Sequence, residues 1–229
     1  MSDKKVSVIM SAYNAENSIE KTMSSLLMQT YENLEIIIAD DGSTDNTYNL
    51  LKKFSQTNKN ISVIKNSENL GLTRSLNILI DLSNGYYIAR QDADDYSDAT
   101  RITKQVSFIK RYNLDAVTCR AKVINENRII PNFSYYLPKK ILINYKNPYI
   151  HGTLLIKKHI ISEMNNYDEN FYFAQDYKLM SDLHKSNKRI RIMRDQLYYL
   201  NMKNNISTNN RQEQKYYADC VRNKTIPSP

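Results

Sequence analysis

Two aspartates separated by one alanine, Asp92-Ala93-Asp94, follow the apolar run Tyr86 to Arg90, and Asp95 and Asp98 come directly after. A second acidic turn, Asp40-Asp41-Gly42-Ser43-Thr44-Asp45, follows the run Leu34 to Ala39. With both runs as strands of one sheet, these carboxylates gather at one rim, where like charges repel unless a cation or bound donors compensate. Oxygen-only ligation suits Mg²⁺ or Mn²⁺, ions that keep part of their water and bind one or two carboxylates plus substrate phosphates. Asp92 and Asp94 are the expected metal ligands. Asp40 and Asp45 equally suit turn formation and helix capping, the reading favoured for Asp45.

The elements that must position these residues follow from the apolar spacing. Val6 to Met10, Leu34 to Ala39, Ile61 to Lys65 and Tyr86 to Arg90 read as buried strands, short runs rich in β-branched residues. Ile19, Met23, Leu26 and Leu27 fall at helical spacing, with Asn14 or Asn17 as cap; Tyr48, Leu51 and Phe54 mark a second helix capped by Thr44 or Asp45; Leu72, Leu76, Leu79 and Ile80 mark a third. Strands alternating with helices imply a largely parallel sheet covered on both faces. In such a sheet ligands bind beyond the carboxyl ends of the strands, where Ser11-Ala12-Tyr13-Asn14 joins the two acidic turns.

Beyond these, a helix is expected around Ile102, Val106 and Ile109 and a strand at Leu114 to Thr118. All five prolines lie at or after Pro131, so Pro131 to Pro148 reads as irregular connections with a short helix. Leu154 to Ile156 reads as a strand, Asp176 to His184 as a helix, and Arg189 to Met193 and Leu197 to Met202 as two late strands. His159 and His184 stand beside lysines on expected helices and read as solvent-facing.

A chain of 229 residues that is 41% hydrophobic and 24% charged is in the ordinary range of globular proteins, which excludes a disordered or fibrous chain. No apolar stretch approaches the roughly 20 residues needed to cross a bilayer. Met1 to Lys5 leads into the first strand without the apolar region of a signal peptide, so a cytoplasmic location is expected. Cys119 and Cys220 have no metal-ligand spacing and read as free thiols. Only four glycines occur, each expected where a side chain cannot be tolerated. The formal charge of +8 is uneven: residues 1–115 hold 13 basic and 15 acidic residues, the remainder 19 and 9. The basic half either meets an anionic partner or is a solvated surface.

Val6 to Asn14, Ala39 to Asp45, Asn69-Leu70-Gly71-Leu72 with Asn77, and Ala89 to Asp95 together resemble the ordered signatures of the family 2 glycosyltransferases, over residues 4 to 205. The resemblance implies an α/β GT-A fold, with a Rossmann-like, mostly parallel central sheet flanked by helices and a smaller mixed acceptor-binding half. It divides the chain into a nucleotide-sugar half (1–115), an acceptor and catalytic-base half (116–205) and a basic helical tail (206–229). It implies further that Ser11, Ala12 and Tyr13 line the base pocket, with Tyr13 packing on a pyrimidine or standing as a half-buried rim residue, and that Asp41 hydrogen-bonds the base. Asn69 and Ala93 join the nucleotide-sugar site. Asp92 contacts ribose or the metal, Asp94 coordinates Mn²⁺ or Mg²⁺, and Arg74 and Arg90 assist phosphate or sugar or form ordinary salt bridges.

In the second half, Ala174-Gln175-Asp176-Tyr177 resembles the family's Glu-Asp motif, which makes Asp176 the general base, and His151-Gly152-Thr153 resembles the strand lining the sugar and acceptor site. Three departures stand out. Ser11 replaces a usual proline, Gln175 replaces the glutamate before the base, and Asp182 stands where a basic residue is common.

The implied function is inverting, metal-dependent transfer of a hexose or N-acetylhexosamine from a nucleotide sugar, a UDP-sugar first, to a hydroxyl of a glycan or lipid-linked acceptor in bacterial-type surface polysaccharide synthesis. Nucleic acid is not an expected partner, and peripheral association with the inner face of a membrane is open. The alternative is a non-catalytic basic module for anionic glycan or nucleic acid. A nucleotidyltransferase would want a glycine-rich phosphate loop after the first strand, and Ser11 to Asn17 holds no glycine.

Overall fold

The structure is a computed structural model that describes residues 3–126, 128–202 and 210–228. Its first half alternates β1 (Val6–Ala12), α1 (Ile19–Leu27), β2 (Leu34–Asp40), α2 (Thr47–Thr57), β3 (Ile61–Lys65), α3 (Leu72–Leu82) and β4 (Tyr87–Arg90). There follow β5 (Tyr96–Ser97), α4 (Arg101–Arg111), β6 (Ala116–Val123), β7 (Ile129–Ile130), α5 (Lys139–Leu142), β8 (Leu155–Lys157), α6 (Lys158–Glu163), α7 (Gln175–Lys185), β9 (Ile190–Leu200) and α8 (Arg211–Asn223).

One sheet runs through both halves in the order β3-β2-β1-β4-β8-β6-β9-β5, with β7 paired to β6. The block β3-β2-β1-β4 is parallel throughout. Antiparallel β8 then joins β4 to β6. Chain order runs outward from β1 through β2 to β3 and then returns to β4 on the other side of β1. That reversal opens the crevice where open α/β sheets bind ligands.

Period-two alternation sets the two cores. Val6, Val8, Met10 and Ala12 of β1 and Leu34, Ile36 and Ile38 of β2 face one side, where Ile19, Met23 and Leu26 of α1, Leu51 of α2 and Ile102, Val106 and Ile109 of α4 pack. Ile9, Ile37 and Ala39 face the other, under Leu76, Leu79 and Ile80 of α3, Leu179, Met180 and Leu183 of α7 and Val221 of α8. The helix over 211–223 is therefore docked on the core. The expected boundary before residue 206 lies outside the described residues.

Several expectations are corrected. The N-cap of α1 is Ser18, with no side-chain cap bond, in place of Asn14 or Asn17. Asn14 takes the left-handed conformation (φ 48°) and bonds the next loop instead. The second helix starts at Thr47, beyond Thr44 and Asp45, although Asp45 Oδ1 still accepts the Thr47 N–H at 3.0 Å. Leu27, last in α1 and at the edge of its apolar stripe, is exposed. The two late strands are one: Cys119 pairs with Met193 and Arg120 with Gln196, so Arg194 and Asp195 form a bulge that interrupts the apolar pattern. His184 is half-buried, its Nε2 2.7 Å from the Tyr149 hydroxyl, because α7 packs on the Pro-flanked segment. His159 is exposed as expected, and both cysteines are free and buried.

Candidate active site

The ends of β1 and β2 stay paired past the last strand residues, with Asp41 N–H donating to Ala12 O at 2.8 Å. Gly42 then turns with φ 73°, and a Cβ there would lie 2.5 Å from the Glu68 backbone carbon, so only glycine lets this turn approach the loop before α3. Asp41 is buried. Its Oδ1 accepts from Asn66 Nδ2 (2.7 Å), Leu70 N–H (3.0 Å) and Ser75 Oγ (2.8 Å), and its Oδ2 from Gly71 N–H (3.0 Å). Asp41 thus clasps the Asn69 to Gly71 turn and keeps acceptor capacity at Oδ2. Asn69 is exposed and its Oδ1 also accepts the Gly71 N–H, at 3.0 Å. At the end of β1, Ala12 is buried, Ser11 half-buried and the Tyr13 side chain 49% exposed at the rim. Asp40 Oδ1 is buried without a hydrogen-bond partner.

Beyond β4 the chain enters a network absent from any local motif. Arg90, fully buried, donates Nη1 to Gln91 O, Nη2 to Asp92 Oδ1 and Nε to His151 Nε2 at 3.4 Å. Arg101, the first residue of α4 and equally buried, donates to Arg90 O at 3.0 Å and Gly152 O at 2.9 Å. It lies on the Tyr198 ring, and the Tyr198 hydroxyl accepts the Asp92 N–H at 3.0 Å. One cation thereby joins the end of β4 to the turn at residues 151–153. That junction is tight: a Cβ on Gly152 would run into the Tyr198 hydroxyl and Asp92 Oδ2. The Ala93 carbonyl is held by Ser18 Oγ (3.0 Å) and Thr22 Oγ1 (2.9 Å) of α1.

Across the junction, His151 Nε2 sits 2.7 Å from the Tyr167 hydroxyl. Two donors, Tyr167 and Arg90, face that nitrogen, so it is the acceptor and the proton resides on Nδ1. Burial and the Arg90 charge hold the imidazole well below its ordinary pKa, hence neutral. Asp176, the second residue of α7, accepts from Asn147 Nδ2 at 2.7 Å. Before it, Ala174 takes the left-handed conformation (φ 54°), uncommon without glycine, and turns the chain into α7. Gln175 is buried beside it.

The charges separate into roles. Asp94 is pushed up to about 6 by burial and by Asp92, and among the described residues its carboxylate takes only its own backbone N–H. Asp95, buried and repelled by Asp92 and Asp94, is pushed up to about 9. Asp176 is raised by burial and by Asp92, against the hydrogen bond from Asn147. Asp92 is therefore common to all three, placed between the acidic turn and the residue of the second half. Among the described residues no group of three or more His, Cys, Asp or Glu side chains forms a preassembled metal cage. The set fits a divalent ion of the kind that takes one or two carboxylates and completes its shell with water and phosphate. Asp94 is the under-compensated oxygen donor, and Asp92 has one oxygen committed to Arg90.

The structure thus brings Asp92 and Asp94 at the carboxyl end of β4 together with His151, which meets Arg90, and with Asp176, which feels the Asp92 charge; Gln175 is the buried neighbour of Asp176 at the start of α7. Ser11, Ala12, Tyr13 and Asp41 lie at the adjoining ends of β1 and β2, and Asn69 on the loop between β3 and α3 that Asp41 clasps. Arg74 stands apart from the Arg90 network, exposed and 3.5 Å from Glu169. Asp182 is absorbed into surface pairs with Lys178 and Lys185. Sequence reasoning missed Arg101, Tyr198, Asn147 and Tyr167. Arg101 lies on the same helical stripe as Ile102, Gln105, Val106 and Ile109, which are buried with it, and a cation on an apolar stripe was the available signal.

The profile of glycosyl transferase family 2 matches residues 7–167. The chain belongs to this family. A Haemophilus influenzae relative described as an uncharacterized glycosyltransferase is 35% identical over 195 residues, covering 78% of this chain and 59% of its own length. The Escherichia coli UDP-Glc:alpha-D-GlcNAc-diphosphoundecaprenol beta-1,3-glucosyltransferase WfgD is 32% identical, covering 82% and 72%. The chain spans about three fifths of the length of the Haemophilus relative and of a Bacillus subtilis one. Among solved structures, S. aureus TarS with UDP-GlcNAc superposes with a TM-score of 0.77 at 22% identity, over 90% of this chain and 61% of TarS. The Pyrobaculum calidifontis mannosyltransferase PcManGT with GDP-Man and Mn²⁺ gives 0.78 at 18%, over 99% and 66%. The fold of this family 2 chain is GT-A. No described helix is long and apolar enough to cross a membrane.

Proposed function

We propose that this family 2 chain carries an inverting glycosyltransferase site that moves a sugar from a UDP-sugar to a hydroxyl of a lipid-linked or glycan acceptor in polysaccharide assembly. The observation that carries the reading is the convergence of Asp94 and Asp92 with His151 and Asp176, one half of the sheet facing the other across the Arg90–Arg101 junction. Relatives named for UDP-Glc transfer to a diphosphoundecaprenol acceptor and for O-antigen biosynthesis support the donor and acceptor classes.

In this reading Tyr13 and Asp41 flank the base, an aromatic face adding about 0.5–1.5 kcal/mol to binding. Asp94, with Asp92, would hold Mn²⁺ or Mg²⁺, and such an ion would supply charge neutralisation of the departing diphosphate; Mn²⁺ accompanies GDP-Man in PcManGT. Asp176 takes the proton of the acceptor hydroxyl; its raised pKa makes it a better base than an exposed aspartate. Neutral His151 offers Nδ1–H as a donor. Attack on the face opposite the leaving group inverts the anomeric centre.

The test is release of nucleoside diphosphate by the purified chain with donor, acceptor and divalent ion each omitted in turn. Release is expected only with all three, and Asp176→Asn is expected to abolish it. Full turnover by Asp176→Asn would overturn the assignment of the base.

A further inference from the structure

Between Glu126 and Glu163 the sequence holds six lysines and arginines, Arg128, Lys139, Lys140, Lys146, Lys157 and Lys158, and no acidic residue. Residues 133–146 of this stretch run through a short 3-10 turn and α5. Four large apolar side chains stand out into solvent there: Phe133 (74% exposed), Tyr136 (69%), Ile141 (61%) and Tyr145 (68%). Ile141 and Tyr145 share one helical face. Ile143, on the opposite face, is buried in the core with Tyr149 and anchors the segment. The exposed face is thus held outward by a packed residue on its back.

A second, sequence-distant group of cations meets it. Lys139 and Lys140 line a groove of about 460 Å³ with Lys188, Arg189 and Arg191, and no acidic residue is among its lining side chains. Lys188 and Arg189 are paired outside the groove with Glu163 and Asp115. Lys140 forms no ion pair among the described residues, and Arg191 lies over the Tyr112 ring.

We propose that residues 133–146 and this groove form a docking surface for an anionic lipid bilayer. Exposed aromatic and aliphatic side chains alternating with lysines match the two parts of such an interface, the apolar groups entering among the headgroups and the cations meeting their phosphates. A polyanionic glycan or nucleic acid would account for the cations and leave Phe133, Tyr136 and Ile141 without a role. The surface also bears on the site. The segment runs directly into Asn147, whose Nδ2 holds Asp176, so an acceptor carried in the bilayer meets the chain next to the residue that takes its proton. That consequence rests on the function proposed above, whereas bilayer binding does not.

The test is flotation of the full chain with phosphatidylcholine vesicles and with vesicles also containing phosphatidylglycerol. Binding only to the second kind is expected, weakened by salt. The double variant Lys140→Glu, Lys146→Glu, at two exposed lysines of the segment, should lower the partition coefficient by about tenfold or more. The triple variant Phe133→Ser, Tyr136→Ser, Ile141→Ser should lower it comparably with the charge unchanged, and at exposed positions neither should move the thermal midpoint. Loss in the charge variant alone, with heparin competing, would overturn the proposal in favour of a polyanion site. A concentration-dependent dimer abolished by the triple variant would overturn it in favour of self-association. Vesicle binding without sugar transfer to any acceptor would keep the surface and remove the enzymatic reading; transfer to a water-soluble acceptor without vesicle binding would do the reverse.

Discussion

Asn147 holds Asp176 by one hydrogen bond of 2.7 Å, and removing it should both slow the reaction and move its pH dependence. Asp176 is raised by burial and by the charge of Asp92, while the Asn147 amide favours the ionised form and lowers it. A hydrogen bond to a charged group contributes about 1.5–3 kcal/mol. Its loss therefore raises the Asp176 pKa further. A base works ionised, so activity is present above its pKa and lost as pH falls through it. The acid limb of the kcat profile should accordingly shift to higher pH in Asn147→Ala, and kcat at a fixed pH on that limb should fall about 10- to 100-fold.

Asn147 has a second duty that a careless comparison would confound: its Oδ1 accepts the Tyr149 N–H at 3.0 Å. Asn147→Asp keeps that acceptor, replaces the donor by a carboxylate and should shift the limb further than Asn147→Ala, with the turn retained. The assay is kcat against pH at saturating donor, acceptor and metal, with thermal midpoints alongside. An acid limb that stays in place in both variants would refute the reasoning, as would a loss confined to donor KM.

Three further outcomes are expected. Gly152→Ala forces a methyl group against Tyr198 and Asp92 and should lower stability by about 1–3 kcal/mol and activity with it, measured by denaturant unfolding and turnover. Asp94→Ala should remove the response of donor binding to added Mn²⁺ while leaving the thermal midpoint near wild type, since among the described residues this carboxylate has no donor beyond its own backbone; calorimetry with UDP, with and without the ion, reads it. Asp115 is held below the ordinary carboxylate range by the Arg189 N–H and Lys157 once burial is outweighed. A depressed folded pKa gives stability that is present above the unfolded value and lost as pH falls through the folded one, so Asp115→Asn should be less stable than wild type at neutral pH and converge on it in acid.

The alternation of strands and helices to β4 was legible because each strand is a short β-branched run and each helix keeps its apolar residues on one stripe. The second half was harder for a physical reason. β9 reads as two strands because the bulge at Arg194 and Asp195 shifts the side-chain phase between its ends, and two-residue strands such as β5 and β7 carry no period at all. At the site, motif residues were legible as a set, while their supports were not. Asn147 lies in a Pro-flanked connection where neither period applies, and its role exists only when α7 is folded against it. Arg101 shows in sequence only as a cation on the apolar stripe of its helix; the fold shows that its donors reach backbone carbonyls of two separate segments.

Seven carboxylates, Asp40 at the end of β2 and six beyond β2 and β4, share this rim, and the fold answers their repulsion one by one. Asp41 is met by four donors, Asp45 by the N–H groups of Thr47 and Glu16, Asp98 by Thr100 and Asp92 by Arg90. Asp40 accepts from Ser43 N–H on one oxygen, and Asp95 takes the Asn201 N–H at 2.6 Å while burial and its acidic neighbours push its pKa up. Among the described residues, Asp94 alone combines a rim position and a pKa of about 6 with no donor from another residue. Near neutral pH it is mostly ionised and under-compensated, beside a second negative charge. A divalent ion placed there with a diphosphate would relieve this repulsion and pull the Asp94 pKa back down. The demand for a cation at this rim therefore centres on Asp94, with the uncommitted oxygen of Asp92 beside it, while Asp41, Asp45 and Asp98 serve to clasp the loops around them.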